Sequence, residues 1–146
     1  MNLIHWLKWG VNKVKNILFV CKHNRFRSKV AEAFFNKFNK NKSYVASSAG
    51  LIPGGYPLDD LQVKVAKEFG IKFKGKPQAI TTDLLRWMNL MIIVADNVPR
   101  EIFKNKKYGR EELVWNIKDD DGSGAEETYK VIKKIENKVK YFVRTL

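Results

Sequence analysis

The chain carries one cysteine, and the residues around it could make that cysteine a nucleophile. Cys21 is followed six positions later by Arg27 and then Ser28, a Cys-x5-Arg-Ser spacing inside the stretch NILFVCKHNRFRSKVAEAFF, Asn16 to Phe35. Four apolar, strand-forming residues (Ile17, Leu18, Phe19, Val20) run into Cys21, and an amphipathic helical pattern opens at about Arg27 and Ser28. A strand that turns directly into a helix aims unpaired backbone N–H groups and the positive end of the helix dipole into one concavity, which suits an oxyanion. The same field favours the thiolate, and Arg27 can fork two N–H donors onto an anion held between them. Nucleophile, anion cradle and charge clamp are therefore all legible between residues 21 and 28. A cysteine ending a buried strand is ordinarily an inert small hydrophobe. The strand-turn-helix context, with arginine and serine at those two offsets, is what argues for chemistry.

Such a loop needs a scaffold, and the rest of the chain supplies alternating strand and helix patterns. The first helix should end near residues 39 to 41, and Tyr44-Val45-Ala46-Ser47 reads as a second strand leading into Ser48-Ala49-Gly50. A turn-rich loop, LIPGGYP at 51–57, precedes a helix over Leu58 to Phe69 that Gly70 closes. Thr81-Thr82-Asp83 marks another helix start. MNLMIIVA, Met88 to Ala95, is the longest apolar run and reads as a central strand buried on both faces. Asp96-Asn97, with Pro99 in the first turn, should open a helix; Glu112 to Trp115 reads as a fourth strand. Ser123, with Glu126 as its capping-box partner, should start a closing helix that runs to about Phe142. This pattern predicts a single α/β domain: a four-stranded parallel sheet, helices on both faces, and a ligand crevice at the carboxyl ends of the strands.

A chain of 146 residues with 45% hydrophobic residues can bury one core, and no stretch is rich enough in Pro, Gly and Ser to be a linker. The net charge of +13 draws anions of every kind. Because the lysines are spread along the chain, contact with nucleic acid or an anionic membrane is the weaker reading of that charge. A single cysteine leaves no intramolecular disulfide and fits a reduced, cytoplasmic setting. His5 and His23 with one cysteine make no metal-ligand pattern, so neither metal nor cofactor is expected. Residues 1–15, MNLIHWLKWGVNKVK, form a basic amphipathic extension with Leu3, Leu7, Val11 and Val14 at helical spacing. It is too short for a transmembrane segment and lacks a signal-peptide core; Gly10 weakens a long helix, and packing on the domain of residues 16–146 is favoured over lipid contact.

The segment VCKHNRFRSKVAEAFF resembles the signature of the low-molecular-weight protein tyrosine phosphatases and their relatives, the thioredoxin-coupled arsenate reductases. The resemblance spans roughly residues 16 to 145. The family pattern is Cys-x-Gly-Asn-x-Cys-Arg-Ser followed by a helix with Ala-Glu, and Cys21, Asn24, Arg27, Ser28, Ala31 and Glu32 fall in step with it. His23 stands where the family has glycine and Phe26 where it has a second cysteine. Further landmarks are Ser48-Ala49-Gly50, where Ser48 would support the phosphate loop, the Gly70-Ile71 pair, and the segment from Pro77 to Arg86. The loop at 51–57 is shorter than the family's and lacks its usual mouth aromatic, with Tyr56 the candidate replacement.

The resemblance implies a flavodoxin-like fold and a phosphomonoester hydrolase, most of all a protein tyrosine phosphatase, working through a phosphocysteine. Cys21 would attack phosphorus; Arg27 and the backbone of Lys22, His23, Asn24, Arg25 and Phe26 would hold phosphate or another oxyanion; Ser28 would donate to the thiolate. The family's general acid sits in an Asp-Pro pair after the fourth strand. Aligning WNIKDDDGSG puts Asp119 on the acid and Asp120 on the proline, with Asp120 the alternative acid. Arg25 occupies the position facing the incoming substrate, so a phosphorylated protein or small phosphoester bearing extra negative charge is the expected partner. A phosphoarginine phosphatase with the same mechanism, and a non-catalytic anion- or phosphoprotein-binding module, share the loop. An arsenate reductase resolves its intermediate with further cysteines, and this chain has none.

Overall fold

The computed structural model describes residues 14–52, 54, 58–103 and 111–146. Residues 1–13 of the N-terminal extension, and Tyr56, lie outside the described residues. Four strands, β1 (Lys15–Cys21), β2 (Tyr44–Gly50), β3 (Leu90–Val94) and β4 (Glu111–Trp115), form one all-parallel sheet in the order β2-β1-β3-β4. The order reverses beside β1, so the crevice at its carboxyl end is the topological switch point of a flavodoxin-like sheet.

Alternation along the two central strands divides the core. Ile17 and Phe19 of β1, with Ile92 and Val94 of β3, pack against α1 (Arg27–Phe38), α2 (Asp60–Glu68) and α4 (Ala125–Arg144). Leu18, Val20, Met91 and Ile93 face the other way, onto Leu84, Leu85 and Trp87 of α3 (Thr82–Trp87) and Phe103 of a 3-10 turn (Arg100–Phe103). Both faces are therefore covered, which is why these strands read as unbroken apolar runs. Each such side chain contributes about 1.5–3 kcal/mol on burial. The closing helix presents Val131, Ile132, Ile135 and Val139 as one buried stripe.

Several boundaries differ from the sequence-based expectation. β1 takes in Lys15, placed in the extension by sequence, because the Lys15 N–H donates to the Ser43 carbonyl at 2.7 Å and the residue pairs with Tyr44. β2 runs on through Gly50, since Ser48, Ala49 and Gly50 continue the ladder beside Phe19, Val20 and Cys21. β3 is shorter than Met88 to Ala95: Met88 caps α3 through its N–H on the Leu84 carbonyl, and Asn89 is bonded to Asn16. Asp96-Asn97 opens no helix; within residues 96–103 the one helical turn is the 3-10 turn at Arg100–Phe103, which begins just after Pro99. Ser123 does not cap the last helix. Gly124 holds the N-cap position at φ 142°, while the Ser123 N–H donates to Asp121 Oδ1 at 2.9 Å, and the helix runs on to Arg144.

Candidate active site

Cys21 ends β1, and the turn from residue 22 to 26 carries the chain into α1. Asn24 takes the left-handed conformation (φ 57°) that lets so short a connection close, a conformation asparagine tolerates better than most residues. Its backbone N–H then points back at Cys21 Sγ, 3.3 Å away. α1 has no side-chain cap and no acidic residue in its first turn, whereas α2 starts with an Asp59/Gln62 capping box and α3 with Thr81. The uncapped end beside the sulfur leaves orphan N–H donors where an anion can take them.

A chain of hydrogen bonds converges on the thiol. The Gln78 N–H donates to Asn24 Oδ1 at 3.0 Å, which fixes the amide's orientation, and Asn24 Nδ2 donates to Ser28 Oγ at 2.7 Å. With its oxygen accepting from Asn24, Ser28 has its own proton to give to Cys21 Sγ at 3.0 Å. Asn24 and Ser28 are both fully buried, so this relay works in a low-dielectric setting where each member polarises the next.

Arg27 is buried to 2% exposure and reaches the loops that follow β3 and β4. Its Nη1 donates to the Ile117 carbonyl at 2.9 Å and its Nη2 to Asn97 Oδ1 at 3.0 Å; Asp96 lies 3.4 Å from Nη1. Asp119 Oδ1 lies 3.6 Å from Nε, while its side chain keeps 53% of its surface in solvent. Asp120 is turned elsewhere, accepting from Thr128 Oγ1 at 2.6 Å, Gln62 Nε2 at 3.1 Å and the Gly122 N–H at 3.1 Å. Asp121 accepts from Ser123, whose hydroxyl and N–H hold its carboxyl below the usual carboxylate range.

The remaining residues read from sequence divide by where their side chains go. The Phe26 ring is buried in the core, so that position can meet a ligand through its backbone alone. Lys22, His23 and Arg25 are half-buried around the turn. Ser48 does not touch the sulfur; it donates to Glu32 Oε1 at 2.6 Å, and its carbonyl accepts from Gln78 Nε2 at 2.8 Å. Among the described residues no group of three His, Cys, Asp or Glu side chains could hold a metal ion, and no helix is long and apolar enough to cross a membrane.

Sequence reasoning marked Ser48-Ala49-Gly50 as support for the loop, and of these Gly50 makes the close approach; it missed three contributors, Gln78, Asn97 and Lys29. Gly50 lies under the turn so closely that a Cβ there would stand 2.6 Å from the His23 carbonyl carbon and 2.8 Å from Asn24 N. Gln78 comes from a segment bridged to Gly50, with the Gly50 N–H on the Gln78 carbonyl at 2.8 Å and the Ile80 N–H on the Gly50 carbonyl at 2.9 Å. Asn97, read as a helix start, instead lies in the loop at the carboxyl end of β3, a position that could have flagged it. Lys29, at 5% exposure, donates to the Lys74 carbonyl at 2.7 Å. Burial pushes its pKa below the ordinary lysine value, against the opposing pull of Glu32 and Cys21.

The sequence profile of the family described as low molecular weight phosphotyrosine protein phosphatase matches residues 16–146. A probable low molecular weight protein-tyrosine-phosphatase, EpsP of Ralstonia solanacearum, is 30% identical over 90 residues, which cover 61% of this chain and 61% of that relative's length. The crystal structure of a low molecular weight protein tyrosine phosphatase from T. tengcongensis superposes with a TM-score of 0.78 at 25% identity, over 90% of this chain and 99% of the other. An arsenate reductase from Archaeoglobus fulgidus superposes with a TM-score of 0.68 at 28% identity, over 88% and 98%.

Proposed function

The chain belongs to the low molecular weight phosphotyrosine protein phosphatase family, and we propose that it hydrolyses phosphomonoesters, phosphotyrosine in proteins foremost, through a phosphocysteine. The observation that carries this reading is the relay from Gln78 through Asn24 and Ser28 onto Cys21 Sγ, at the uncapped start of α1. A hydroxyl proton aimed at sulfur stabilises a thiolate, both as the attacking group and as the group expelled in the second step.

In the first step the Cys21 sulfur attacks phosphorus, an S–P bond forms, and the P–O bond to the alcohol or phenol breaks. The departing oxygen takes a proton from Asp119. Arg27 and the N–H groups of the turn hold the three equatorial oxygens, where charge is spread in the transition state. In the second step water attacks phosphorus and gives a proton to the Asp119 carboxylate; the S–P bond breaks and the thiolate and inorganic phosphate are released. Arg27 is supported in this role by its bonds to Ile117 and Asn97, which hold the guanidinium before substrate arrives and so lower the entropic cost of binding.

Reduction of arsenate is disfavoured by the cysteine count: the second loop cysteine is replaced by Phe26, whose ring is in the core. The test is hydrolysis of an aryl phosphate beside phosphopeptides, phosphoarginine and sugar phosphates. Turnover of the aryl phosphate and phosphotyrosine peptides is expected; no release of phosphate from any of them would overturn the reading.

A further inference from the structure

A second cleft opens beside the phosphate loop, with a volume of about 480 Å³, within the range of sites that hold small molecules or large side chains. Its walls are apolar: Leu58, Val63 of α2, then Ile71, Phe73 and Pro77. Its charged lining is of one sign, Arg25, Lys29, Lys67, Lys72 and Lys76, without a carboxylate. Lys67, Lys72 and Lys76 are exposed and enter no ion pair among the described residues.

The cleft is joined to the reaction centre through the backbone. Arg25 belongs to the turn that wraps the sulfur, and Lys29 to the first turn of α1. Pro77 is followed by Gln78, whose N–H is the first donor of the relay to Cys21. A Cβ on Gly54 would meet Arg25 Cγ at 3.0 Å and Pro77 at 3.3 Å, so the seam between loop and cleft wall is closely packed.

We propose that this cleft is a docking site for the chain that flanks the phosphorylated residue of a substrate protein, taking a large apolar side chain with carboxylates beside it. The inference rests on the phosphatase reading above. Charge complementarity chooses the occupant: an apolar floor rewards a leucine or phenylalanine, and a wholly cationic rim rewards acidic neighbours and repels basic ones. Both rewards fall on one segment only if it continues from the phosphate held at Cys21, and the shared residue Arg25 makes the two sites contiguous. Burying one large apolar side chain corresponds to about a tenfold gain in affinity or more.

The test compares two labelled phosphotyrosine peptides, one flanked by Glu-Leu-Glu and one by Ser-Gly-Ser, binding to the Cys21→Ser protein by fluorescence anisotropy. About tenfold tighter binding of the acidic, apolar peptide is expected. Two variants remove the preference by different routes: Val63→Trp fills the cleft, and Lys67→Glu/Lys72→Glu/Lys76→Glu reverses its rim. In the Cys21 background both should turn over a small aryl phosphate within about twofold of the parent. Equal binding of the two peptides to the parent overturns the docking site. So does a preference that survives Val63→Trp, which would leave charge alone at work, or a concentration-dependent dimer abolished by Val63→Trp, which would place a second copy in the cleft. A peptide preference without aryl phosphate turnover supports the docking site and overturns the phosphatase reading instead.

Discussion

Thr128 donates its hydroxyl to Asp120 Oδ2 at 2.6 Å, anchoring that carboxylate to the first turn of the closing helix and away from Arg27. Asp119, one residue earlier, is left facing the guanidinium at 3.6 Å with half its surface in solvent. The two neighbours thereby stand in different surroundings.

Asp119→Asn should therefore lower kcat by about 10²–10⁴, most for alkyl phosphates and least for activated aryl phosphates, because a good leaving group needs little help from an acid. Asp120→Asn should act on stability instead, losing charge-assisted bonds from Thr128 and Gln62 at a cost of about 1–3 kcal/mol with a smaller effect on kcat. Asp121→Asn should change neither by much. A plot of log kcat against leaving-group pKa for the three variants checks the assignment, and a steep slope for Asp120→Asn would move the acid by one residue.

Cys21→Ser should abolish turnover while still binding inorganic phosphate, since Arg27 and the uncapped start of α1 remain. Ser28→Ala, which takes the hydroxyl from the sulfur, should slow breakdown of the intermediate more than its formation, readable as a larger burst amplitude with an aryl phosphate. With no second cysteine, peroxide should carry Cys21 to sulfenic and then to irreversible acids, and mass spectrometry should find no intramolecular disulfide. Full recovery after peroxide without added thiol would contradict this.

Gly50→Ala should disable the loop from outside it. The added Cβ would stand 2.6 to 2.9 Å from the backbone of His23 and Asn24, and backbone cannot step aside as a flexible side chain can. Overpacking of this kind costs about 1–3 kcal/mol. Urea unfolding should show that loss, and aryl phosphate turnover should fall with it as Asn24 leaves Cys21.

Lys29 makes stability pH-dependent in a defined direction. Its folded pKa lies below the unfolded value of 10.5, so between the two the unfolded chain binds more protons and stability rises with pH. At neutral pH the buried ammonium is a cost, relieved as pH climbs through the folded pKa toward 10.5. Lys29→Met removes that dependence. Unfolding free energies at pH 7 and pH 10 should rise more, or fall less, for the parent than for the variant; identical changes would remove Lys29 from the account.

The sequence by itself determined the sheet and the loop from Cys21 to Ser28. The apolar runs at Ile17–Val20 and within Met88–Ala95 are short and rich in β-branched residues, so they read as strands covered on both faces, and the sheet follows from them. The turn from Cys21 to Ser28 is a local device: its cysteine, its left-handed asparagine and its helix start lie within eight residues, so spacing alone brings them together. Tertiary structure decided what reaches that loop from elsewhere. Gly50 and Gln78 meet it only because β2 pairs with β1 to the last residue and residues 78–80 bridge alongside. Asn97 and Asp96 meet Arg27 because β3 ends beside β1. Asp119 and Asp120 are adjacent in sequence, and what separates them is that one finds Arg27 in range and the other Thr128 and Gln62. Local spacing carries no information on such contacts, because each joins segments that only the assembled sheet and its closing helix bring together.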